Sequence, residues 1–391
     1  MEEDDNARPE SIPHELVSEI LTRLPVKSLT RFRSVSTRWN FTITNASFAK
    51  SHFSRSAAAR GASITLILTF INRFSSQRSI FSVTIPPNQT RSAPNPTHIL
   101  TIPGFAHPFV SQSLNGLICF NLGAMCVCNP STRKFLKLPW TQMETPSPSP
   151  ASAHHRSNAF GFDPVSNAHK VLDTWITCHG NEMMMEHRVF TVGCSSNKWR
   201  RIADGPPYFP FNERVCINGQ IYFRAFPCMI ASEKTVMVAF DVNREEFRFI
   251  QMRDDTISNS EDAVLMEHDG HLAIVDHQGL RNGEDNVMLM WVLMDEEDEK
   301  WVKKRVEIPA IYSEINDRRR FKFAGTTFSG EMIFAERRLG KPFYVVLYDI
   351  KKNEGRKVEI CGLTDFESTY SNVLMNVISV NEHAESTISL T

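Results

Sequence analysis

Residues 237–250 read MVAFDVNREEFRFI: an apolar run ending at Asp241, a five-residue turn, and Phe247 opening a second run with every other residue apolar. That is the pattern of a β-hairpin. The same offset of six joins Asn129 to Phe135 in CVCNPSTRKFLKLP, Gly193 to Trp199 in VFTVGCSSNKWRRI and Asp295 to Trp301 in WVLMDEEDEKWVKK. A fifth copy starts at Asp349 in VVLYDIKKNEGRKVEI, with Gly355 at the aromatic position. The return positions 135, 199, 247, 301 and 355 lie 64, 48, 54 and 54 residues apart, close to the roughly 50-residue blade of kelch-type propellers. A second marker precedes most hairpins: Asn115-Gly116 before LICF, Asn218-Gly219 before QIYF, Asp269-Gly270 before HLAI and Ser329-Gly330 before EMIF. These dipeptides suit tight turns between paired strands. A hairpin buries one face only by stacking on its neighbours, so the array is expected to close into a β-propeller of six or seven blades, with loops on its rims for binding. An irregular β-sandwich is the alternative, and residues 61–110 show only a weak register.

Residues 11–60 have a different texture. Ser11 can cap a helix with Pro13 in its first turn, where a missing amide costs nothing. Leu16, Val17, Ile20 and Leu21 form one apolar stripe, and the helix ends at Leu24-Pro25. Leu29, Phe32, Val35, Trp39 and Ile43 continue at spacings of three or four, which predicts two further short helices, with Phe48 and Phe53 in a possible last one. The fold class is therefore mainly β with a small all-α amino-terminal module of three principal helices.

Residue identities sharpen both readings. The run IPHELVSEILTRLPVKSLTRFRSVSTRWNFTITNASFAKSHF resembles the F-box, matching it in order at Ile12-Pro13, Ile20-Leu21, Leu24-Pro25, Arg33-Ser34-Val35-Ser36 and Trp39. Ile12 replaces the usual Leu, a swap of similar volume. The phrases NGLICF, CNPSTRKFLKLP, FGFDPVSNAHKVL, SSNKWRRI, CINGQIYF and AFDVNREEFRFI resemble the F-box-associated domain of plant F-box proteins, over roughly residues 111–260 with weaker echoes to 361. No Gly-Gly dipeptide occurs, so the array departs from a standard kelch repeat. The F-box resemblance implies docking on the Skp adaptor of a Skp–cullin–F-box ubiquitin ligase. Carried over residue by residue, it designates Ile12, Pro13, Leu16, Ile20, Leu21, Leu24, Pro25, Leu29, Val35 and Trp39 as Skp-binding positions. About forty residues cannot bury all their apolar surface alone, so part of this set must form the module's own core. Val17, Phe32 and Ile43 suit either role. The propeller would capture an unidentified protein target for ubiquitylation, and no substrate-contact residue can be designated from the sequence.

Composition agrees with an adaptor. The chain has 391 residues, 41% apolar and 22% charged, the profile of a small module joined to a large globular domain. Lys plus Arg total 43 against 44 for Asp plus Glu, so no global field recruits nucleic acid or an anionic membrane. Locally, residues 11–60 carry eight basic against two acidic side chains, a net charge of plus six that suits an acidic protein partner. No aromatic residues interleave with those charges as nucleic-acid stacking platforms would require. The first ten residues, MEEDDNARPE, are acidic, unlike a cationic signal sequence, and the longest apolar stretch, Ile64–Ile71, is far short of the roughly 20 residues of a membrane helix. Eight cysteines without an export signal read as reduced thiols of the cytosol or nucleus, where the sequons at Asn40, Asn45 and Asn88 stay unmodified. The expected division is an acidic flexible leader over 1–10, the helical module over 11–57, the β domain over 61–380 and a polar, frayed tail over 381–391. Thr145–His155 reads as a solvated Pro/Ser insert, Asp295–Glu299 as a solvated acidic turn and Arg318–Arg320 as a surface loop.

Enzymatic motifs are weak. His14-Glu15 lacks the second His of a zinc-protease helix, Gly340-Lys341 runs into Pro342, and no Gly-x-Ser-x-Gly elbow occurs. The best metal candidate gathers Glu267, His268, Asp269, His271, Asp276 and His277 around one hairpin, where they would project from an exposed corner. Cys126 and Cys128 share a strand face without a partner pair at zinc spacing and read as buried thiols. No cofactor and no metal are expected. A non-catalytic ligase adaptor is the leading reading, with a Skp-binding scaffold that delivers no substrate and a metal-dependent enzyme as alternatives.

Overall fold

The computed structural model describes residues 12–58, 63–72, 74–87, 95–103, 109–121, 124–141, 153–179, 182–203, 205–227, 235–252, 263–276, 287–308, 321–363 and 375–390, except the side chains of 153, 154, 179 and 182. The leader, Arg318–Arg320 and His277 lie outside these residues, as do positions 145–152 of the Pro/Ser insert.

Four helices form the amino-terminal module: α1 (His14–Thr22), α2 (Val26–Phe32), α3 (Thr37–Thr44) and α4 (Ala46–Ala58). Three principal helices were expected. The last one runs for 13 residues because Ala46–Ala58 contains no Gly or Pro, and the Asn45 side chain accepts the Ser47 amide at its start. Pro13 and Pro25 sit at the N-caps of α1 and α2, one position earlier than the sequence suggested for Pro13. The Ser36 hydroxyl caps α3 by accepting from the Trp39 amide at 3.1 Å. Leu21, Leu29, Ile43 and Phe48 form the module's core, with Val17, Leu24, Phe32 and Trp39 packed against it.

The remainder is six antiparallel sheets in sequence order, the blades of a ring. Blade 1 contains β1 (Ile64–Asn72), β2 (Arg78–Ile85) and β3 (Thr97–Ile102); blade 2 contains β4 (Ile118–Asn121), β5 (Met125–Asn129) and β6 (Lys134–Lys137). Blade 3 holds β7 (Ala153–Asp163), β8 (Ala168–His179), β9 (Glu182–Thr191) and β10 (Arg200–Arg201). In blade 4 are β11 (Tyr208–Pro210), β12 (Val215–Ile217), β13 (Gln220–Pro227), β14 (Val236–Asp241) and β15 (Phe247–Gln251). Blade 5 has β16 (Ala263–His268), β17 (His271–Asp276), β18 (Val287–Asp295) and β19 (Lys300–Glu307), and blade 6 has β20 (Phe321–Thr326), β21 (Met332–Glu336), β22 (Phe343–Asp349) and β23 (Glu354–Ile360). The last strand, β24 (Met375–Glu382), returns to pair with β1, Leu66 opposite Glu382, and so closes the ring with the innermost strand of blade 1. The blade with the weak sequence register is thus the one completed from the far end of the chain.

Closure explains the apolar run Ile64–Ile71. Leu66, Leu68 and Phe70 face blade 6, packing with Ile333, Phe343 and Val345, while Ile67 faces blade 2, packing with Ile118 and Phe120. A strand buried on both faces loses the apolar–polar alternation. Comparable clusters fill the other junctions, each joining one blade to the next. Cys126 and Cys128 belong to the blade 1–blade 2 core, where burial pushes the Cys128 thiol up to about 12.

The offset of six has a local cause. In four of the five copies the anchoring carboxylate or amide accepts the amides two and three positions ahead: Asn129 from Ser131 and Thr132, Asp241 from Asn243 and Arg244, Asp295 from Glu297 and Asp298, and Asp349 from Lys351 and Lys352. The residue four after each anchor, Arg133, Glu245, Glu299 or Asn353, then takes a positive φ. Gly193 lacks the side-chain acceptor, and Asn197 still turns with φ 45°. Asn72 and Asp163 build the same turn between β1 and β2 and between β7 and β8, two copies not recognised in the sequence. At the Asn-Gly and Asp-Gly pairs both residues have positive φ, the geometry of a two-residue hairpin turn.

Two expectations need correction. Residues 153–155 of the Pro/Ser insert begin β7 and pair with β8. The tail after Val380 is not frayed: β24 extends to Glu382, and residues 383–390 run across the propeller as a strap. The His383 imidazole lies between the Ser113 and Ser131 hydroxyls at 2.9 and 3.0 Å, and the Asn129 amide donates to the carbonyls of Ser386 and Ile388. Leu390 is buried against Leu114, Leu117 and Leu138.

Candidate protein-docking site

The apolar rhythm of α1 covers more than one face. Val17 and Leu21 turn inward, whereas Leu16 and Ile20, one residue earlier in each pair, point to solvent at 51% and 53% exposure. Ile12, just ahead of the helix, is 62% exposed. Leu16 and Ile20, four apart within α1, align on one side of the helix. Pro13, Pro25 and Val35 are also exposed. Of the ten positions designated from the sequence, Leu21 and Leu29 are enclosed at 1% and 0%, and Leu24 and Trp39 are half-buried beside them. Those four shape the surface from beneath, Trp39 by an edge contact with Phe32 at 5.5 Å. Val17, Phe32 and Ile43 all join the core. Phe41, 71% exposed on α3, was missed because nothing in its local pattern separates an outward aromatic from a core one.

Exposed apolar side chains sit beside Lys27, Arg31 and Arg38, also exposed on this module. Such a surface can bury apolar area while attracting an acidic partner. The module is fastened to the propeller through the strap: Glu385 accepts the Val26 amide at the start of α2 at 2.8 Å, and the Glu385 amide donates to the Ser56 hydroxyl of α4.

The inner strands of the ring run in one direction, so the turns after β12, β16 and β20 and the end of β24 share one rim. The strap crosses that rim, its Ser386 lying over the Asn115-Gly116 turn, and Phe53 and Ala57 of α4 line the mouth of the central channel there. Strands β8, β13, β17 and β21 end at the opposite rim, away from the helical module. The helices thus occupy one rim of the ring.

The histidine hairpin is built differently from a metal centre. His268 and His271 are opposed across the Asp269-Gly270 turn, and the His268 ring meets the Lys304 ammonium at 3.3 Å. Burial, then the positive charge of Lys304, lowers the His268 pKa, and Asp269 is engaged by Lys351 at 2.7 Å. Among the described residues no group of three His, Cys, Asp or Glu side chains could hold a metal ion. In the acidic turn, Glu296 binds Arg248 and the Tyr222 hydroxyl of blade 4, so it cements two blades. No described helix is long and apolar enough to cross a membrane.

Comparison with known proteins matches residues 10–51 to the F-box domain and residues 66–383 to the F-box associated beta propeller domain. F-box protein At1g30790 of Arabidopsis thaliana is 33% identical over 377 residues, covering 91% of this chain and 91% of that protein. Putative F-box protein At1g47790 of the same plant is 30% identical over 393 residues, covering 97% and 94%. F-box protein DOR, also from Arabidopsis thaliana, is 29% identical over 377 residues, covering 93% and 91%. With a helical module at one rim of a six-bladed ring and family matches across both parts, the chain belongs to the F-box proteins that carry an F-box-associated β-propeller.

Proposed function

We propose that this protein is a substrate-recognition adaptor of a Skp–cullin–F-box E3 ubiquitin ligase, acting in the cytosol or nucleus. The helical module docks on the Skp adaptor and so joins a cullin–RING ligase, and the propeller captures a protein target. The observation that carries this reading is the outward pair Leu16 and Ile20 on α1, with the exposed Ile12 just ahead of the helix, on a module that has its own buried core. Exposed branched side chains aligned on one side of a helix are stabilised by a partner that buries them.

The protein then performs no bond chemistry. It raises the effective concentration of target lysines near the ubiquitin-loaded conjugating enzyme, which multiplies rate without a catalytic group. The placement of the helices at one rim, leaving the opposite rim clear of them, supports simultaneous engagement of adaptor and target. Loops on a constant frame supply the target specificity. The test is co-purification with the Skp adaptor of the full chain and of a chain starting at residue 61. Retention of the full chain alone is expected; retention of neither form overturns the docking assignment.

A further inference from the structure

The inner strands enclose a central cavity of about 910 Å³, within the size range of small-molecule sites. Its two ends differ in charge. Toward the helical module it is lined by Phe53 and Ala57 of α4 and by the carboxylates Glu267, Asp269 and Glu382. Toward the opposite rim lie Lys322, near the start of β20, and Arg337, immediately after β21. Arg214, just ahead of β12, adds a third cation at that end, its guanidinium bound to the Ser157 hydroxyl.

Lys322 is the unusual member. Its ammonium donates to the Ile378 carbonyl at 2.7 Å, and among the described residues no carboxylate pairs with it. Burial, reinforced by the charge of Arg337, lowers its pKa to about 8. One neutral carbonyl satisfies one of three ammonium donors, and desolvated charges are ordinarily paired. Arg337, which carries a second positive charge, borders the same cavity. A desolvated ammonium without a counter-ion beside a second cation is complementary to an anionic group.

We infer that the channel binds a small molecule through an oxyanion, a carboxylate or a phosphate, seated on Lys322 with Arg337 contributing charge. The carboxylates toward the helical module orient the ligand by repelling its charged group toward Lys322. An oxyanion there supplies the missing counter-ion and restores the Lys322 ammonium to an ordinary pKa. The site lies within the propeller and stands whether or not the helical module docks on Skp.

The experiment uses the full-length protein with inorganic phosphate or acetate as the probe and chloride at matched ionic strength as the reference. Thermal unfolding is expected to shift upward saturably with at least one of the two anions, by several degrees, and Lys322→Met is expected to remove the shift. Which anion acts identifies the group as phosphate or carboxylate. Lys322→Gln, which keeps a polar group beside the Ile378 carbonyl, is expected to raise the half-saturating concentration severalfold and guards against a Lys322→Met protein that fails to fold. A second readout is acetic-anhydride labelling of Lys322 between pH 7 and 10: the active anion should move its midpoint upward by more than half a pH unit. Absence of a saturable shift with both anions, or the same shift in the wild type and in Lys322→Gln and Lys322→Met, overturns the assignment.

Discussion

Replacing Ile12, Leu16 and Ile20 together by Ala removes the outward apolar side chains of α1 and of the residue ahead of it without touching the module's core. Full burial of such a side chain contributes about 1.5–3 kcal/mol. The three are 62%, 51% and 53% exposed, so a little over half of each remains available to a partner. That leaves about 1 kcal/mol apiece and about 3 kcal/mol together, which is more than a hundredfold in Kd. Isothermal titration of the full-length variant against purified Skp adaptor should show that loss. Far-ultraviolet circular dichroism and the unfolding midpoint should stay near the wild type, because Ala favours the helix and no buried contact is lost. Leu29→Ala is the contrasting control: Leu29 is 0% exposed, and its truncation should cost about 2–5 kcal/mol of stability through the cavity it leaves. A triple variant that binds within threefold of the wild type would refute the assignment of this face as the docking surface.

Three further outcomes follow from the propeller. Gly116→Ala would place a Cβ 2.2 Å from Ser386 Cβ, whereas at Gly330 nothing lies within 4 Å, although both have positive φ, 82° and 87°. Urea unfolding should show Gly330→Ala losing about 1 kcal/mol from backbone strain alone and Gly116→Ala losing clearly more, with the strap displaced. Asp241→Ala deletes the acceptor for two turn amides, each at 2.8 Å, and should lower stability by about 1 kcal/mol by the same assay. Burial holds His169 and His383 at about 4, below the roughly 6.5 of an unfolded chain. Their neutral forms therefore favour the fold fully above pH 6.5, and that stability is lost as pH falls toward 4, because the unfolded chain takes up the protons first. Unfolding midpoints at pH 7 and 5 should differ by up to about 2 kcal/mol per histidine, and the His169→Gln/His383→Gln variant should show a flatter dependence.

The hairpin repeat was legible because its cause is local. An Asp or Asn that accepts amides two and three positions ahead writes the turn into a handful of adjacent residues, and blade length follows from counting such turns. The copies at Asn72 and Asp163 escaped because Arg78 and His169 stand where the other returns carry an aromatic or Gly. The helical module was legible for the same reason, through prolines at helix starts and apolar spacing of three and four.

What the tertiary structure decided is everything that depends on residues distant in the chain. Leu16, Val17, Ile20 and Leu21 look alike in sequence, and only the arrival of α2, α3 and α4 selects Val17 and Leu21 for the core and leaves Leu16 and Ile20 outside. The blade count of six, the pairing of Leu66 with Glu382 and the strap from His383 to Leu390 all come from the chain's end meeting its beginning. Lys322 likewise reads as an ordinary strand lysine until ring closure sets β24 beside β20 and shuts its ammonium in a channel with the Ile378 carbonyl. Local hydrogen bonds are encoded within a few residues, but burial is a property of the whole ring, so composition and spacing determine the elements while closure determines which of their side chains meet water.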